Sequence, residues 1–399
     1  MTLRERLEQE IRQRGPIPFS RYMEMCLYEH ELGYYARSKE QFGKAGDFYT
    51  SSDVHAIFGR LLARQFEEMW RALGSPEQIE IVELGPGRGL FARDVLDWSR
   101  HKFPDFFGAM HYALVERSAV LREKLASTLA EFIALKKASI AEDVAGHVCA
   151  ENVIVFANEF FDALPVEVLG NHGVMRVGWE AGRFVESFVS ASAAEMEYLD
   201  RYSIHPEEGE RAEAGLEAQR WMPRMAAAVP RGFVVIIDYG YTREELLAGR
   251  HRGTIMCYRQ HSASDNPYEA PGEQDITAHV NFTALRAAGE QASLECLGLV
   301  TQAQFLMGVG EETQFSDAFE DAQLPQERAK RALQLKHLVT PAGMGETFQV
   351  LVMSKSVDLG KTARLGGLKF LPGAGQYPTR SATPQSDPGG RHGGRAPSR

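Results

Sequence analysis

The stretch that decides the fold reads IEIVELGPGRG and covers residues 79–89. Its first part, Ile79 to Leu84, combines β-branched and apolar side chains as in a short buried strand. Glycines follow at alternate positions, and the residues from Leu90 to Arg100 suit a helix. A strand, a glycine turn and a helix in this order predict a ligand site at the edge of an α/β sheet.

The glycine spacing and the acid before it narrow the choice of ligand. In a dinucleotide site, GxGxxG, the third glycine would fall on residue 90, which is Leu90. A phosphate loop would need a GxxxxGK pattern, and the turn lacks it. Glu83 stands two residues before Gly85, where a carboxylate repels a pyrophosphate and attracts an ammonium. S-adenosylmethionine (AdoMet) carries an α-ammonium and a sulfonium, so we predict that Glu83, Gly85, Gly87 and Gly89 bind AdoMet.

Further short apolar strands alternate with helices along the chain. The predicted strands are residues 111–116, 152–157 and 232–238. Such an alternation implies an α/β fold with a parallel sheet that helices cover on both faces. A late stretch, 347–355, has an alternating apolar face and fits an antiparallel edge strand. Helices are predicted before the first strand at residues 2–14, 19–32 and 54–73.

The chain divides into three predicted parts. Residues 1–78 are expected to form a helical N-terminal lid, and residues 79–355 a ligand-binding domain with insertions at 166–230 and 240–292. The first insertion contains hairpin signals, whereas the second is a long polar stretch of the kind that is functional or disordered. Residues 371–399 are rich in Pro, Gly, Ser and Arg, which predicts a disordered tail.

Two acidic positions follow the second and third predicted strands. Glu116 ends the second strand, where an acid in such sheets accepts hydrogen bonds from ribose hydroxyls, although a solvated strand-end acid is the plainer alternative. After the third strand the chain reads NEFFDALP, residues 158–165. Ligands bind over the carboxyl ends of strands, so we place Asn158 beside the cofactor and Asn158, Glu159 and Asp162 in the active site. A loop that only anchors Phe160 and Phe161 in the core is the alternative.

Composition and charge exclude several classes of protein. The chain has 54 acidic and 44 basic residues in 399, a net charge of −10, which argues against a general nucleic-acid surface. No apolar run reaches the length of a membrane span, and we expect the first residues to form a helix rather than a leader peptide. None of its four cysteines forms a CxxC pair, so no metal site is signalled. A cytoplasmic protein with reduced thiols is expected.

Taken together, these residues resemble the MidA-like family of AdoMet-dependent methyltransferases. Its mitochondrial member is an assembly factor for respiratory complex I that methylates a protein arginine. The resemblance spans about residues 5–355 and rests on Tyr28 to Tyr35, Gly46 to Ser51, Glu83 to Gly89, Val115-Glu116, Asn158 to Pro165, Ile237 to Gly240 and Gly272 to Phe282.

The resemblance implies a class I, Rossmann-like methyltransferase fold with a mostly parallel seven-stranded sheet, a helical lid and insertions that build the substrate pocket. It also implies that a loop in the lid closes over AdoMet, with Gly46, Asp47, Phe48, Thr50 and Ser52 as its binding residues. One departure from the family pattern is Asn281, where an acid is expected before Phe282. If that acid binds substrate, the resemblance no longer predicts the substrate or the rate of this chain.

The expected reaction is an in-line displacement at the methyl group of AdoMet, which leaves S-adenosyl-L-homocysteine. A guanidinium acceptor stays protonated in water, so carboxylates must hold it and expose one nitrogen. We expect Glu159 and Asp162 to form this clamp, with Asn158 as an orienting acceptor. The predicted catalytic residues are Asn158, Glu159, Asp162 and His279, and the predicted substrate contacts are Glu159, Phe161, Asp275 and His279.

Three functions fit the sequence. Methylation of a protein arginine leads on family grounds, and the partner would then be a protein such as a respiratory-complex subunit. A small-molecule N- or O-methyltransferase is the second, and it predicts a narrow, enclosed apolar pocket. A non-catalytic assembly factor that binds AdoMet and a client protein is the third. The oligomeric state stays open, a homodimer included.

Overall fold

Apolar runs become strands and amphipathic stretches become helices in the computed structural model, which describes residues 1–37, 56–144, 150–248, 252–260, 262–340, 343–358, 360 and 365–371. The strands are β1 (Ile17–Pro18), β2 (Ile79–Leu84), β3 (Met110–Val115), β4 (Ala138–Ala141), β5 (Asn152–Asn158), β6 (Glu167–Gly170), β7 (Gly173–Glu180), β8 (Arg183–Val189), β9 (Ala212–Ala214), β10 (Arg231–Tyr241), β11 (Met256–Arg259), β12 (Ser262–Ser264), β13 (Asp275–Thr277), β14 (Val280–Asn281), β15 (Glu295–Thr301) and β16 (Phe348–Lys355).

The helices alternate with these strands. They are α1 (Leu3–Arg14), α2 (Phe19–Tyr28), α3 (Ala56–Ala72), α4 (Leu90–Lys102), α5 (Pro104–Ala109), α6 (Ala119–Thr128), α7 (Ala130–Ala134), α8 (Ala193–Tyr202), α9 (Leu216–Ala228), α10 (Arg243–Leu247), α11 (Phe282–Gln291), α12 (Gln302–Glu311), α13 (Ser316–Phe319) and α14 (Pro325–Val339). Single 3-10 turns cover Tyr34–Ala36 and Gly366–Leu368.

The main sheet has the strand order β15-β16-β10-β5-β2-β3-β4, and the two-residue strand β14 pairs with β10. The pairs β10·β5, β5·β2, β2·β3 and β3·β4 are parallel, which confirms the predicted mostly parallel seven-stranded sheet. Residues 347–355 were predicted as an antiparallel strand at the edge of the sheet. The antiparallel direction is confirmed, and the edge position is wrong. Strand β16 is antiparallel to its neighbours, but it lies between β10 and β15, so the edge belongs to β15.

Both faces of the sheet are buried because successive side chains of a strand point to opposite sides. Along β5, Phe156 packs with Phe66 of α3 and Phe91 of α4, and the Phe91–Phe156 ring centroids are 4.7 Å apart. Val155 faces the other way, toward a cluster that contains Trp221 of α9. Strand β16 is buried over seven of its eight residues, which is why it lies inside the sheet.

The segment predicted as an N-terminal lid, residues 1–78, packs in two places. Helices α1 and α2 contribute Leu7, Phe19 and Tyr22 to a separate hydrophobic cluster that includes Val177 of β7. Helix α3 instead packs on α4 in the main core. The loop residues Gly46, Asp47, Phe48, Thr50 and Ser52 lie outside the described residues, as does the tail from residue 372 onward.

The insertions add two small sheets. In the first, β7 pairs with β6 and β8 in hairpins, as predicted, and β1 and β9 complete a five-stranded sheet. The second insertion, expected as a functional or disordered stretch, contains the three-stranded sheet β12-β11-β13. Its last strand, β13, is fully buried. Among the described residues, no helix combines the length and apolar character that a membrane span requires.

Candidate active site

A large cavity opens over the carboxyl ends of β2, β3 and β5. Its volume is about 1380 Å³, above the range of roughly 300–1,000 Å³ that is usual for a site holding one small ligand. Helices α2 and α9 contribute walls through Tyr28 and Trp221. The cavity therefore has room for a cofactor and part of a second molecule side by side.

The glycine turn forms the floor of this cavity. Gly85, Gly87 and Gly89 have φ angles of 65°, 54° and 75°, in the left-handed region that favours glycine. A Cβ atom on Gly85 would stand 2.9 Å from the ring of Phe160, and one on Gly89 would stand 2.7 Å from Leu125. Side chains at these two positions would therefore collide with the cavity wall and with α6.

Glu83 lies just before the turn and is almost completely buried, with 4% of its surface exposed. Its Oε2 accepts a hydrogen bond of 3.0 Å from the Tyr112 hydroxyl. Burial raises the pKa of Glu83 to about 8, because desolvation disfavours the charged form. A cationic ligand group next to this carboxyl would reverse that effect, so the position fits an ammonium.

Glu116 follows β3 at the same edge and also lines the cavity. Its Oε1 accepts a 2.7 Å hydrogen bond from the Ser118 backbone N–H. Burial raises its pKa to about 7. The Ser118 hydroxyl donates to the carbonyl of Tyr35 at 2.9 Å, which ties this edge to the turn at Tyr34–Ala36.

Sequence reasoning missed two acids at the next strand end. Glu142 and Asp143 follow β4 and line the cavity, and Arg224 of α9 donates to Asp143 at 2.9 and 3.0 Å. The available signal was the rule that ligands bind at strand carboxyl ends. It was not applied because β4, residues 138–141, was not recognised as a strand.

The loop after β5 lies beside the glycine turn. Asn158 and Glu159 both line the cavity, and the Asn158 side-chain amide donates to Glu159 Oε1 at 3.2 Å. Glu159 has a φ of 49°, a left-handed conformation that is uncommon for a residue with a Cβ atom. The structure therefore places two residues that were predicted to bind the methyl acceptor next to the glycine turn that was predicted to bind the cofactor.

Asp162 is the more buried acid of this loop. It is 6% exposed, its Oδ2 accepts a 2.5 Å hydrogen bond from the Tyr239 hydroxyl, and burial raises its pKa to about 6. Its Oδ1 is buried and has no hydrogen-bond partner among the described residues. An unsatisfied buried carboxylate oxygen is costly in free energy. A ligand that brings a hydrogen-bond donor next to Asp162 would remove this cost.

Tyr28 and Tyr35 form an aromatic wall near these acids. Their rings stack with centroids 5.6 Å apart. The Tyr28 hydroxyl donates to the carbonyl of Ala163 at 2.8 Å, and the Tyr35 hydroxyl donates to Asp275 Oδ1 at 3.0 Å. Asp275 is 2% exposed and also lines the cavity, as expected for a substrate-side residue.

Among the described residues, three predicted site residues do not line the large cavity, namely Gly89, Phe161 and His279. His279 lines a separate small cavity, where its ring packs 5.3 Å from that of Tyr239, and burial lowers its pKa. Phe161 is 3% exposed and belongs to the core cluster with Val155. Of the two adjacent phenylalanines in this loop, Phe160 is the one that lines the large cavity.

Asn281, the departure from the family pattern, has a structural role. It is the N-cap of α11: its side-chain oxygen accepts the N–H of Ala284 at 3.0 Å, and its amide donates to the Tyr202 carbonyl at 2.8 Å. Asn and Asp are equally good N-caps. Asn281 lines the small cavity and not the large one, so it provides no reason to expect a different substrate.

The arrangement fits AdoMet. Glu83 can meet the α-ammonium, Glu116 can accept from ribose hydroxyls, and the glycine turn lets the backbone approach closely. A mostly parallel sheet with an internal antiparallel strand and this site defines an AdoMet-dependent methyltransferase of class I.

Comparison with known proteins gives the family. The chain belongs to the family described as "Putative S-adenosyl-L-methionine-dependent methyltransferase", whose model matches residues 61–300. The family resemblance of the sequence is thereby confirmed, and the cofactor is AdoMet.

Curated relatives and a solved structure agree with this assignment. The protein arginine methyltransferase NDUFAF7 homolog, mitochondrial, of Drosophila melanogaster is 31% identical over 392 residues, with 89% of this chain and 85% of the relative covered. The human protein arginine methyltransferase NDUFAF7, mitochondrial, is 27% identical, with 86% and 81% covered. The crystal structure of a likely methyl transferase from Burkholderia thailandensis bound to S-adenosyl-homocysteine is 29% identical, with a TM-score of 0.79 and 92% and 94% covered.

Proposed function

We propose that this methyltransferase transfers a methyl group to an arginine side chain of a protein. The observation that carries the proposal is the charge of the cavity. Its described lining contains eleven carboxylate residues and six arginines. An excess of acids favours a cationic acceptor, since complementary charge raises its local concentration. The curated relatives named above are protein arginine methyltransferases, which supports the same choice.

AdoMet supplies a methyl group on a sulfonium that is already a good leaving group. The chain therefore needs no nucleophile of its own and contributes by aligning the acceptor and excluding water. Glu159 is the accessible acid beside the glycine turn, and we assign it to bind the guanidinium. Asp162, whose Oδ1 has no hydrogen-bond partner among the described residues, is the second carboxyl group that we assign to bind the guanidinium. Asn158 orients Glu159 through the 3.2 Å hydrogen bond.

The alternatives are less well supported by the cavity. A small-molecule methyltransferase predicts a narrow apolar pocket, whereas this cavity measures about 1380 Å³ and is rich in acids. A non-catalytic AdoMet-binding factor would not need acids beside the cofactor turn. Family resemblance makes a subunit of a respiratory complex the first protein acceptor to test, with the cytoplasm as the expected place of the reaction.

Labelled AdoMet distinguishes the three functions. The chain is incubated with methyl-labelled AdoMet and a cell lysate, and labelled protein is hydrolysed to amino acids. Our proposal expects the label in methylated arginine. Label in small molecules, in another amino acid or in nothing contradicts it. Glu159→Gln serves as the inactive control, because it removes the guanidinium's charged partner and leaves the cofactor residues in place.

A further inference from the structure

Asp238 of β10 is fully buried and lies behind the loop that carries Glu159 and Asp162. Sequence reasoning gave it no role beyond the family resemblance. We propose that Asp238 is a positioning residue for methyl transfer, which holds the backbone of residues 160–162 so that the flanking acids keep their places at the cavity. The inference rests on the methyltransferase activity and holds whether or not the acceptor is arginine.

The contacts of Asp238 are directed at one short piece of backbone. Its Oδ2 accepts the N–H groups of Phe160, Phe161 and Asp162 at 3.2, 3.0 and 3.3 Å. Its Oδ1 accepts the N–H of Tyr239 at 2.9 Å. A single side-chain oxygen therefore accepts from three consecutive peptide groups and fixes them at once.

The loop conformation depends on such an anchor. Glu159 precedes the three N–H groups and has a φ of 49°, a left-handed conformation that is unfavourable for a residue with a Cβ atom. Successive N–H groups next to a left-handed residue form a concave anion site. Here the Asp238 carboxyl occupies that site, and it adds to the 3.0 Å hydrogen bond from the Glu159 N–H to the Ile237 carbonyl in holding this conformation.

The neighbouring residue completes the support. The Tyr239 hydroxyl holds Asp162 Oδ2 at 2.5 Å, so Asp238 fixes the backbone of Asp162 while Tyr239 fixes its side chain. Burial, together with repulsion from the carboxyls of Asp162 and Glu159, raises the pKa of Asp238 well above its ordinary value. Crowding three carboxyl groups is unfavourable for folding, and a loop that served stability alone would not require it.

Hydrogen exchange tests the geometry directly, with S-adenosylhomocysteine as the bound probe. In the wild-type chain the amides of residues 160–162 are expected to exchange slowly. In Asp238→Ala, both accepting oxygens are removed, and exchange should rise at least tenfold. Turnover on the acceptor that the wild-type chain labels should fall about a hundredfold, whereas the affinity for S-adenosylhomocysteine and the KM for AdoMet should stay within about threefold.

The matched control is Asp317→Ala. Asp317 is also fully buried and accepts hydrogen bonds from Arg64 and Trp98, but it does not line the cavity. This variant should lose stability and keep both the exchange of residues 160–162 and the turnover per folded molecule.

Several results would overturn the proposal. One is fast exchange of residues 160–162 in the wild-type chain, a result that needs no variant. The others are seen in Asp238→Ala: unchanged exchange, turnover within threefold of the wild type, or loss of cofactor affinity together with turnover. Label in a group other than arginine would contradict arginine as the methyl acceptor. Each of the results above would still test the role of Asp238.

Discussion

At the scale of single residues, Glu83 shows how function opposes stability. Its carboxyl is buried next to the Tyr112 hydroxyl, and its pKa rises from 4.5 to about 8. The folded chain therefore keeps a proton up to about pH 8 that the unfolded chain releases near pH 4.5. Since the folded state binds more protons across this window, the free energy of unfolding decreases as the pH rises through it.

Glu83→Gln should stabilise the chain without ligand and abolish AdoMet binding. Gln keeps an acceptor for Tyr112 and removes the penalty of a buried acid, a gain of up to about 3 kcal/mol at pH 7. Thermal unfolding and calorimetric titration measure the two effects. Glu80→Gln is the control, since Glu80 lies buried in the same strand beside His111. A destabilised Glu83→Gln variant that still binds AdoMet would refute the assignment of Glu83.

The pH dependence of AdoMet affinity follows from the same residue. Below about pH 8 Glu83 is protonated, so affinity should fall about tenfold for each unit of decreasing pH. Above this value the ligand's own α-amino group, with a pKa near roughly 8, loses its charge. Calorimetry on the wild-type chain between pH 6 and 9 should give a maximum of AdoMet affinity near pH 8. A flat profile would disagree with an ammonium at Glu83.

At the scale of elements, the parts predicted from sequence are those with a local signal. Strand β2, the glycine turn and α4 follow from the stretch at residues 79–102 because buried strands and glycine turns have distinctive compositions. Strand β4 has four residues, of which only Ala138 is buried, so it carries little periodic signal. Its omission concealed Glu142 and Asp143.

Helix α11 gives an element-scale prediction. Asn281→Ala removes the N-cap and the donor to the buried Tyr202 carbonyl, so the chain should lose about 1–3 kcal/mol. AdoMet affinity should be unchanged. Thr301→Ala removes the N-cap of α12 alone and should cost about 1 kcal/mol. Denaturant unfolding compares the two. If Asn281→Ala lost methyl transfer while remaining fully folded, Asn281 would belong to the substrate site.

At the scale of the whole molecule, contacts between residues that are far apart in sequence determined which site residues could be predicted. Phe160 and Phe161 are adjacent and chemically identical, yet one lines the cavity and the other lies in the core. Asp238 is 76 to 78 residues from the amides it binds, so no local pattern could reveal it. His279 lies in the Gly272 to Phe282 stretch that carries the family resemblance, yet the structure places it in a different cavity, where its ring packs against Tyr239.

We propose that separate acidic side chains on one wall of the cavity hold the cofactor and the methyl acceptor. The most direct test is calorimetric titration of AdoMet into the wild-type chain and Glu159→Gln, with methyl transfer measured on the same samples. We expect saturable binding of one AdoMet per chain, with affinities of the wild-type chain and Glu159→Gln within about threefold of each other. We expect methyl transfer only by the wild-type chain. Absence of binding to the wild-type chain, or loss of binding and transfer together in Glu159→Gln, would contradict it.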